Sequence, residues 1–258
     1  MKKLLALVLV LAFALSLAAC GNTKELRIAT NAEFEPWEYL DADKKIVGFD
    51  IDLMNAVAEK IGAKIKFEDM PFDSVVASIG SGQYDAAISG LTINAARKKS
   101  VDFSDAYYSG ASQILIVKSD DTVFTGTDKA ALEKQLEGKK IGVCKTFTGE
   151  SYAKGDEEWG FAGVKDANVK SYENISLALT DMKNGNIDVI IMDDTVAKEA
   201  TQDKSEYKVI DIALTTESYG IAVKKGNTEL LGKINKALKE LKDEGKIDEL
   251  MKTWKVNG

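Results

Sequence analysis

From Leu26 onward, short apolar runs alternate with stretches in which apolar residues recur every three or four positions. Leu26 to Thr30 reads as a strand, followed by the irregular aromatic segment Asn31 to Tyr39. The spacing of Ile51, Met54, Val57, Ala58 and Ile61 predicts a helix capped by Asp50 and ended by Gly62. Lys64 to Phe67 is again strand-like, the stripe Phe72, Val75, Val76, Ile79 is helical, and Ala86 to Ser89 reads as a buried strand. Apolar strands joined by amphipathic helices predict an α/β unit, a mainly parallel sheet with helices on both faces.

The same order then returns. Lys140 to Cys144 is a strand opening onto the donor-rich turn Thr146 to Gly149, and Val169 to Tyr172 is a second strand. The stripe Ile175, Leu179, Met182 leads to the strand Val189 to Met192, and Gly185 to Ile191 parallels Gly82 to Ile88. Two lobes of one design are implied. After the strand Tyr219 to Val223, the turn Lys224 to Asn227 precedes a helix whose face is Leu230, Ile234, Ala237, Leu238 and Leu241, and a last short helix carries Ile247, Leu250, Met251 and Trp254. That tail is too small for a third domain and is expected to lie on the lobe that begins at Leu26. The chain then divides into lobe 1, residues 26–113 with 214–258, and lobe 2, residues 114–213. Two crossovers form a hinge, and the carboxyl ends of the strands face each other across a ligand cleft.

Upstream, Lys2 and Lys3 precede an apolar run from Leu4 to Ala19. It is shorter than the roughly 20 residues of a membrane span and has the form of a secretory signal, residues 1–19. Its end, Leu17-Ala18-Ala19-Cys20-Gly21, resembles a bacterial lipobox, so Cys20 is expected to be lipidated and to anchor the chain to the membrane through a short tether, residues 20–25. Cys144 is then the one remaining cysteine, and no intramolecular disulfide is expected. A net charge of −7 argues against a nucleic-acid partner. The complete absence of histidine removes Ser-His-Asp and Cys-His catalysis and histidine-bearing zinc sites, and no metal or cofactor is expected.

Candidate chemistry lies just past the strand ends. Ser89, Gly90, Leu91 and Thr92 follow the third strand and Arg97 comes one turn later, a combination suited to a carboxylate. In the second lobe Thr146, Phe147, Thr148 and Gly149 supply further donors, and either Asp193 or Asp194 can accept an ammonium. A positive group on one side and a negative group on the other suit a zwitterion. Phe34, Trp37 and Phe72 are placed to wall the rest of the solute.

At these residues the chain resembles the polar amino-acid receptors of bacterial ABC importers, the solute-binding proteins of family 3. The resemblance is carried by LRIATNAEFEPWEY (26–39), GFDIDLMNAVAEKIG (48–62), YDAAISGLTINAARKKSVDFSDAYY (84–108), GKKIGV (138–143), IDVIIMDDTVA (187–197) and YGIAVKKGN (219–227). It implies a type II periplasmic-binding fold, monomeric, whose two lobes close on a free amino acid and present it to a membrane-embedded permease. Arg97 would hold the ligand carboxylate with Thr92 and the backbone near Ser89 and Leu91. Asp193 would take the α-ammonium, Thr148 would add hydrogen bonds, and Phe34 and Phe72 would flank the side chain. The chain departs from the family where Gly-Thr-Thr is usual and Thr146, Phe147, Thr148 stand, so Phe147 is expected either to cover the ligand or to pack behind it. Several receptors for cationic amino acids carry aspartate where Asn31 stands, whereas Glu33 and the acidic charge favour a cationic solute. Arginine or lysine is the preferred ligand class, an uncharged polar amino acid such as glutamine or cystine the alternative, and a dehydratase-like enzyme on the same scaffold a remote third.

Overall fold

The computed structural model describes residues 25–256. The secretory segment, Cys20 and all of the tether but Glu25 lie outside the described residues. Strand β1 (Glu25–Thr30) leads into a small antiparallel sheet of β2 (Glu33–Phe34), β3 (Glu38–Leu40) and β4 (Ile46–Val47). Helix α1 (Phe49–Ile61), β5 (Lys64–Asp69), α2 (Phe72–Ser81) and β6 (Ala86–Ala87) follow, then a 3-10 turn (Arg97–Lys99) and β7 (Val101–Phe103). Strands β8 (Tyr108–Ala111) and β9 (Gln113–Lys118) carry the chain away from this unit. The second unit contains α3 (Lys129–Leu136), β10 (Lys140–Cys144), α4 (Thr148–Lys154), β11 (Asn168–Tyr172), α5 (Ile175–Lys183), β12 (Val189–Asp193), α6 (Asp194–Thr201) and β13 (Tyr207–Ile210). The chain returns through β14 (Glu217–Tyr219) and ends with β15 (Ala222–Lys224), α7 (Thr228–Asp243) and α8 (Lys246–Thr253).

Each lobe is built on a five-stranded sheet, in the orders β5-β1-β6-β15-β7 and β11-β10-β12-β9-β13. Both are mixed. In the first, β1 pairs in parallel with β5 and β6 while β15 runs antiparallel to β6 and β7. The second repeats this design, with β10 parallel to β11 and β12 and β9 antiparallel to β12 and β13. The antiparallel strands come from segments that cross between the lobes, a contribution that a local strand-helix rhythm does not reveal. The crossovers β8 and β14 pair with each other as a two-stranded ribbon, the hinge.

The core follows the apolar periodicity. Helix α1 buries Ile51, Leu53, Met54, Val57 and Ala58 and is closed by Gly62 in the left-handed region (φ 67°), whose N–H reaches the carbonyls of Ala58 and Glu59. Helices α7 and α8 join the same cluster through Ile234, Leu238, Leu241, Ile247 and Leu250. Burying one such aliphatic side chain contributes about 1.5–3 kcal/mol. The Trp254 indole N–H donates to Asp52 at 2.9 Å, fixing the end of α8 on α1.

Four local expectations change. Asp50 does not cap α1; the helix begins one residue earlier after Gly48, and Asp50 is fully buried inside its first turn. The strand expected over Tyr219 to Val223 is two strands, because Tyr219 ends the hinge ribbon and Ala222 starts the pairing with the first sheet. The third strand stops at Ala87, so Ile88 and Ser89 already belong to the loop. Thr148 and Gly149 open helix α4 instead of completing a turn.

Candidate ligand-binding site

Arg97 sits on the 3-10 turn and is buried, unlike its neighbours Lys98 and Lys99. Its N–H donates to Asn94 Oδ1 at 2.8 Å, which fixes the turn and aims the side chain inward. The guanidinium donates to the carbonyl of Thr92 at 3.1 Å and, across the cleft, to that of Thr146 at 3.4 Å. It lies over the rings of Phe72 (5.3 Å) and Trp159 (5.0 Å). Burial pulls its pKa down to about 10, and the charges of Glu217 and Asp193 oppose that fall.

Asp193 ends β12 on the opposite lobe and is likewise buried. The Tyr219 hydroxyl donates to its Oδ1 at 2.6 Å. Burial first, and the charge of Glu217 second, push its carboxyl up to about 7. Asp194 instead opens α6, where its Oδ1 accepts the N–H of Thr195, and it does not line the cavity. Of the two aspartates left open by the sequence, Asp193 is the one that faces Arg97's cavity.

Between them stands a carboxylate that sequence reasoning missed. Glu217 Oε2 accepts the hydroxyls of both Thr92 (2.8 Å) and Thr148 (2.6 Å), and Oε1 accepts the Thr215 hydroxyl (2.7 Å) and the Gln113 side-chain N–H (3.1 Å). A carboxylate only accepts, so all four groups spend a proton on it. Thr92 and Thr148 therefore face the cavity with lone pairs. The available signal was weak: an acid among threonines at a crossover, with nothing local to mark it as buried.

Phe34, Phe72 and Phe147 form an aromatic wall. Phe147 is the central ring, 5.5 Å from Phe34 and 4.5 Å from Phe72. Phe34 presses against Gly90, where φ is +50° and a Cβ would lie 2.5 Å from the ring, so only glycine fits that floor. Together with Ser89, Thr92, Arg97, Thr148 and Asp193, these four residues line a cavity of about 10 Å³, room for roughly one water. The lining residues of the two lobes thus nearly fill the space between them.

The remaining predicted residues stand outside this cavity. Trp37 is fully buried behind it, its indole donating to Thr195 of the other lobe at 2.7 Å, with Phe49, Tyr108 and Tyr219 packed edge-on around it. Asn31 is structural: its amide donates to the Met70 carbonyl at 3.1 Å and its N–H to Ser89 Oγ at 3.0 Å. Leu91 is fully buried and contributes its carbonyl to Gly220 N–H. Glu33 is exposed at the cleft mouth, 3.4 Å from the Asn174 amide of the facing lobe. Burial pushes the Cys144 thiol up, away from a reactive thiolate.

The bacterial extracellular solute-binding proteins of family 3 match residues 26–257. The arginine-binding extracellular protein ArtP of Bacillus subtilis (strain 168) is 35% identical over 98% of this chain and 98% of its own. An ancestral arginine-binding protein bound to arginine is 39% identical with a TM-score of 0.79, over 90% of this chain and 99% of that one. An ancestral arginine-binding protein bound to glutamine is 40% identical with a TM-score of 0.78, over 89% of this chain and 97% of that one. All three are binding proteins, and the structural match spans both lobes, the type II periplasmic-binding fold. This chain belongs to the bacterial extracellular solute-binding proteins, family 3.

Proposed function

We propose that the protein is the extracytoplasmic receptor of an ABC importer, held at the membrane by lipidated Cys20, and that it closes as a monomer on a free cationic amino acid, arginine foremost. The observation that carries the reading is the pairing of buried Arg97 with buried Asp193 on opposite walls of one cavity. A guanidinium and a carboxylate so placed match the α-carboxylate and α-ammonium of a zwitterion. The lobes are 26–113 with 214–258, and 114–213. Phe34, Phe72, Phe147 and Gly90 enclose the ligand, with Ser89, Thr92 and Thr148 supplying polar contacts; Glu33 at the mouth receives a cationic side-chain end.

A second reading is supported by the similar structure of an ancestral arginine-binding protein bound to glutamine. It makes an uncharged polar amino acid the alternative. Thermal-shift screening of refolded protein against the common amino acids with ornithine and cystine separates them. A large shift with arginine and lysine is expected, and a shift confined to glutamine would overturn the cationic preference.

A further inference from the structure

Behind the floor of the cavity two acidic side chains meet without a cation. Glu38 on β3 and Asp50 in α1 are both fully buried, and among the described residues their donors are the hydroxyls of Ser89 and Tyr107 and the Gly90 N–H, with no lysine or arginine among them. Asp50 Oδ2 accepts the Gly90 N–H at 2.8 Å and the Tyr107 hydroxyl at 2.8 Å. Glu38 Oε1 accepts only the Ser89 hydroxyl, at 2.8 Å. The other two oxygens, Glu38 Oε2 and Asp50 Oδ1, are buried and meet no donor. Two ionised carboxylates can only accept, so ionising both would leave two orphaned acceptors beside two unpaired buried charges.

One proton answers all of these at once. Carried on one carboxyl and donated to the other, it satisfies both orphaned oxygens and removes one charge. Asp50 already receives two donors and is the better-held anion; Glu38 receives one, so the proton belongs on Glu38. We infer that Glu38 and Asp50 share a single proton, bound to Glu38 Oε2 and donated to Asp50 Oδ1, and that this pair positions the Ser89–Gly90 turn in the floor of the ligand site. The titratable groups facing the pair support it. Asp193, from β12, adds negative charge that favours keeping the proton, and Tyr107, whose hydroxyl is pushed up by burial, stays a donor. Burial likewise pushes Glu38 well up, and Asp50 to about 6.

Glu38 and Asp50 act as positioning residues, since Ser89 and Gly90 stand between them and the cavity. Infrared spectroscopy of the full chain at about pH 7 tests the proton itself. In an Asp193→Asn background, which removes that carboxyl's own contribution, a protonated-carboxyl band is expected, and Glu38→Gln and Asp50→Asn should each abolish it. No such band, or one that survives Glu38→Gln, overturns the inference. Positioning is read by calorimetry with L-arginine. Glu38→Ala should weaken binding at least about tenfold, and Glu38→Gln should recover it to within about threefold of wild type, because the amide donates where the acid did. Equal losses in the two variants would sink the positioning role. Glu38→Met, of similar length and unable to donate, replaces alanine if that variant does not fold. The binding arm rests on the proposed amino-acid site; if wild-type protein ignores L-arginine, that reading fails while the infrared result still decides on the proton.

Discussion

Glu217 Oε2 lies 2.6 Å from Thr148 Oγ1, and the same oxygen accepts Thr92 Oγ1 at 2.8 Å. Thr92 follows the first sheet, Thr148 opens a helix of the second, and Glu217 stands on the hinge strand between them. A single atom on the crossover therefore holds one hydroxyl from each side of the cleft in the closed geometry.

Replacing Glu217 by alanine should favour the open arrangement and weaken ligand binding by about 1.5–3 kcal/mol, since hydrogen bonds to a charged group contribute about that much. Glu217→Gln, which keeps an acceptor, should lose less. Distances between spin labels placed on the two lobes, taken with and without arginine, report the shift. Unchanged distances and affinity in Glu217→Ala would leave the carboxylate with no part in closure.

Arg97→Ala should cost about 2–5 kcal/mol of amino-acid binding, because the ligand carboxylate would be buried without its planar fork. Lysine supplies charge without that fork, so Arg97→Lys should recover only part. Titration calorimetry provides the numbers, and wild-type affinity in the alanine variant would remove Arg97 from the site.

Protonation should move stability and binding in opposite directions. The carboxyls of Asp193 and Asp50 are raised to about 7 and about 6 by burial, so the folded protein holds these protons more tightly than the unfolded chain does. Their contribution to stability is fully present below the ordinary aspartate range and is lost as pH rises through about 6 and about 7. Ligand affinity should instead improve over this window, because in the proposed site an ammonium would be held by the ionised form of Asp193. Denaturant unfolding of the free protein from about pH 5 to about pH 8, with calorimetry across the same range, checks both slopes. Asp181, held low first by Lys170 and then by Tyr172 and Asn186, releases its own pH dependence only in much stronger acid. Stability that rises between pH 5 and pH 8 would count against these assignments.

Trp37→Phe should loosen closure without altering the cavity wall. It removes the 2.7 Å hydrogen bond to Thr195 across the lobes while keeping a ring among Phe49, Tyr108 and Tyr219. A loss of about 0.5–1.5 kcal/mol in ligand affinity is expected, with the ranking of ligands unchanged. A change in which amino acid binds best would instead make Trp37 a contact residue.

Much of this molecule was legible along the chain because apolar periodicity is a local property. The stripe of α1, the buried strands β1 and β12, and Gly62 at a helix end depend on residues a few positions apart, and the return of the pattern implied a second lobe. Placing Arg97 and Asp193 beyond strand ends was enough to suggest that they face one cleft. The roles of the polar residues around them were decided only in three dimensions. Glu217 reaches Thr92 across 125 residues of sequence and Thr148 across 69, and Asp50 meets Gly90 across 40. Asp50 looked like a cap and Trp37 like a wall because local pattern records what a side chain is. What it does depends on desolvation and on which donors the fold brings within about 3 Å, and those are set by tertiary packing.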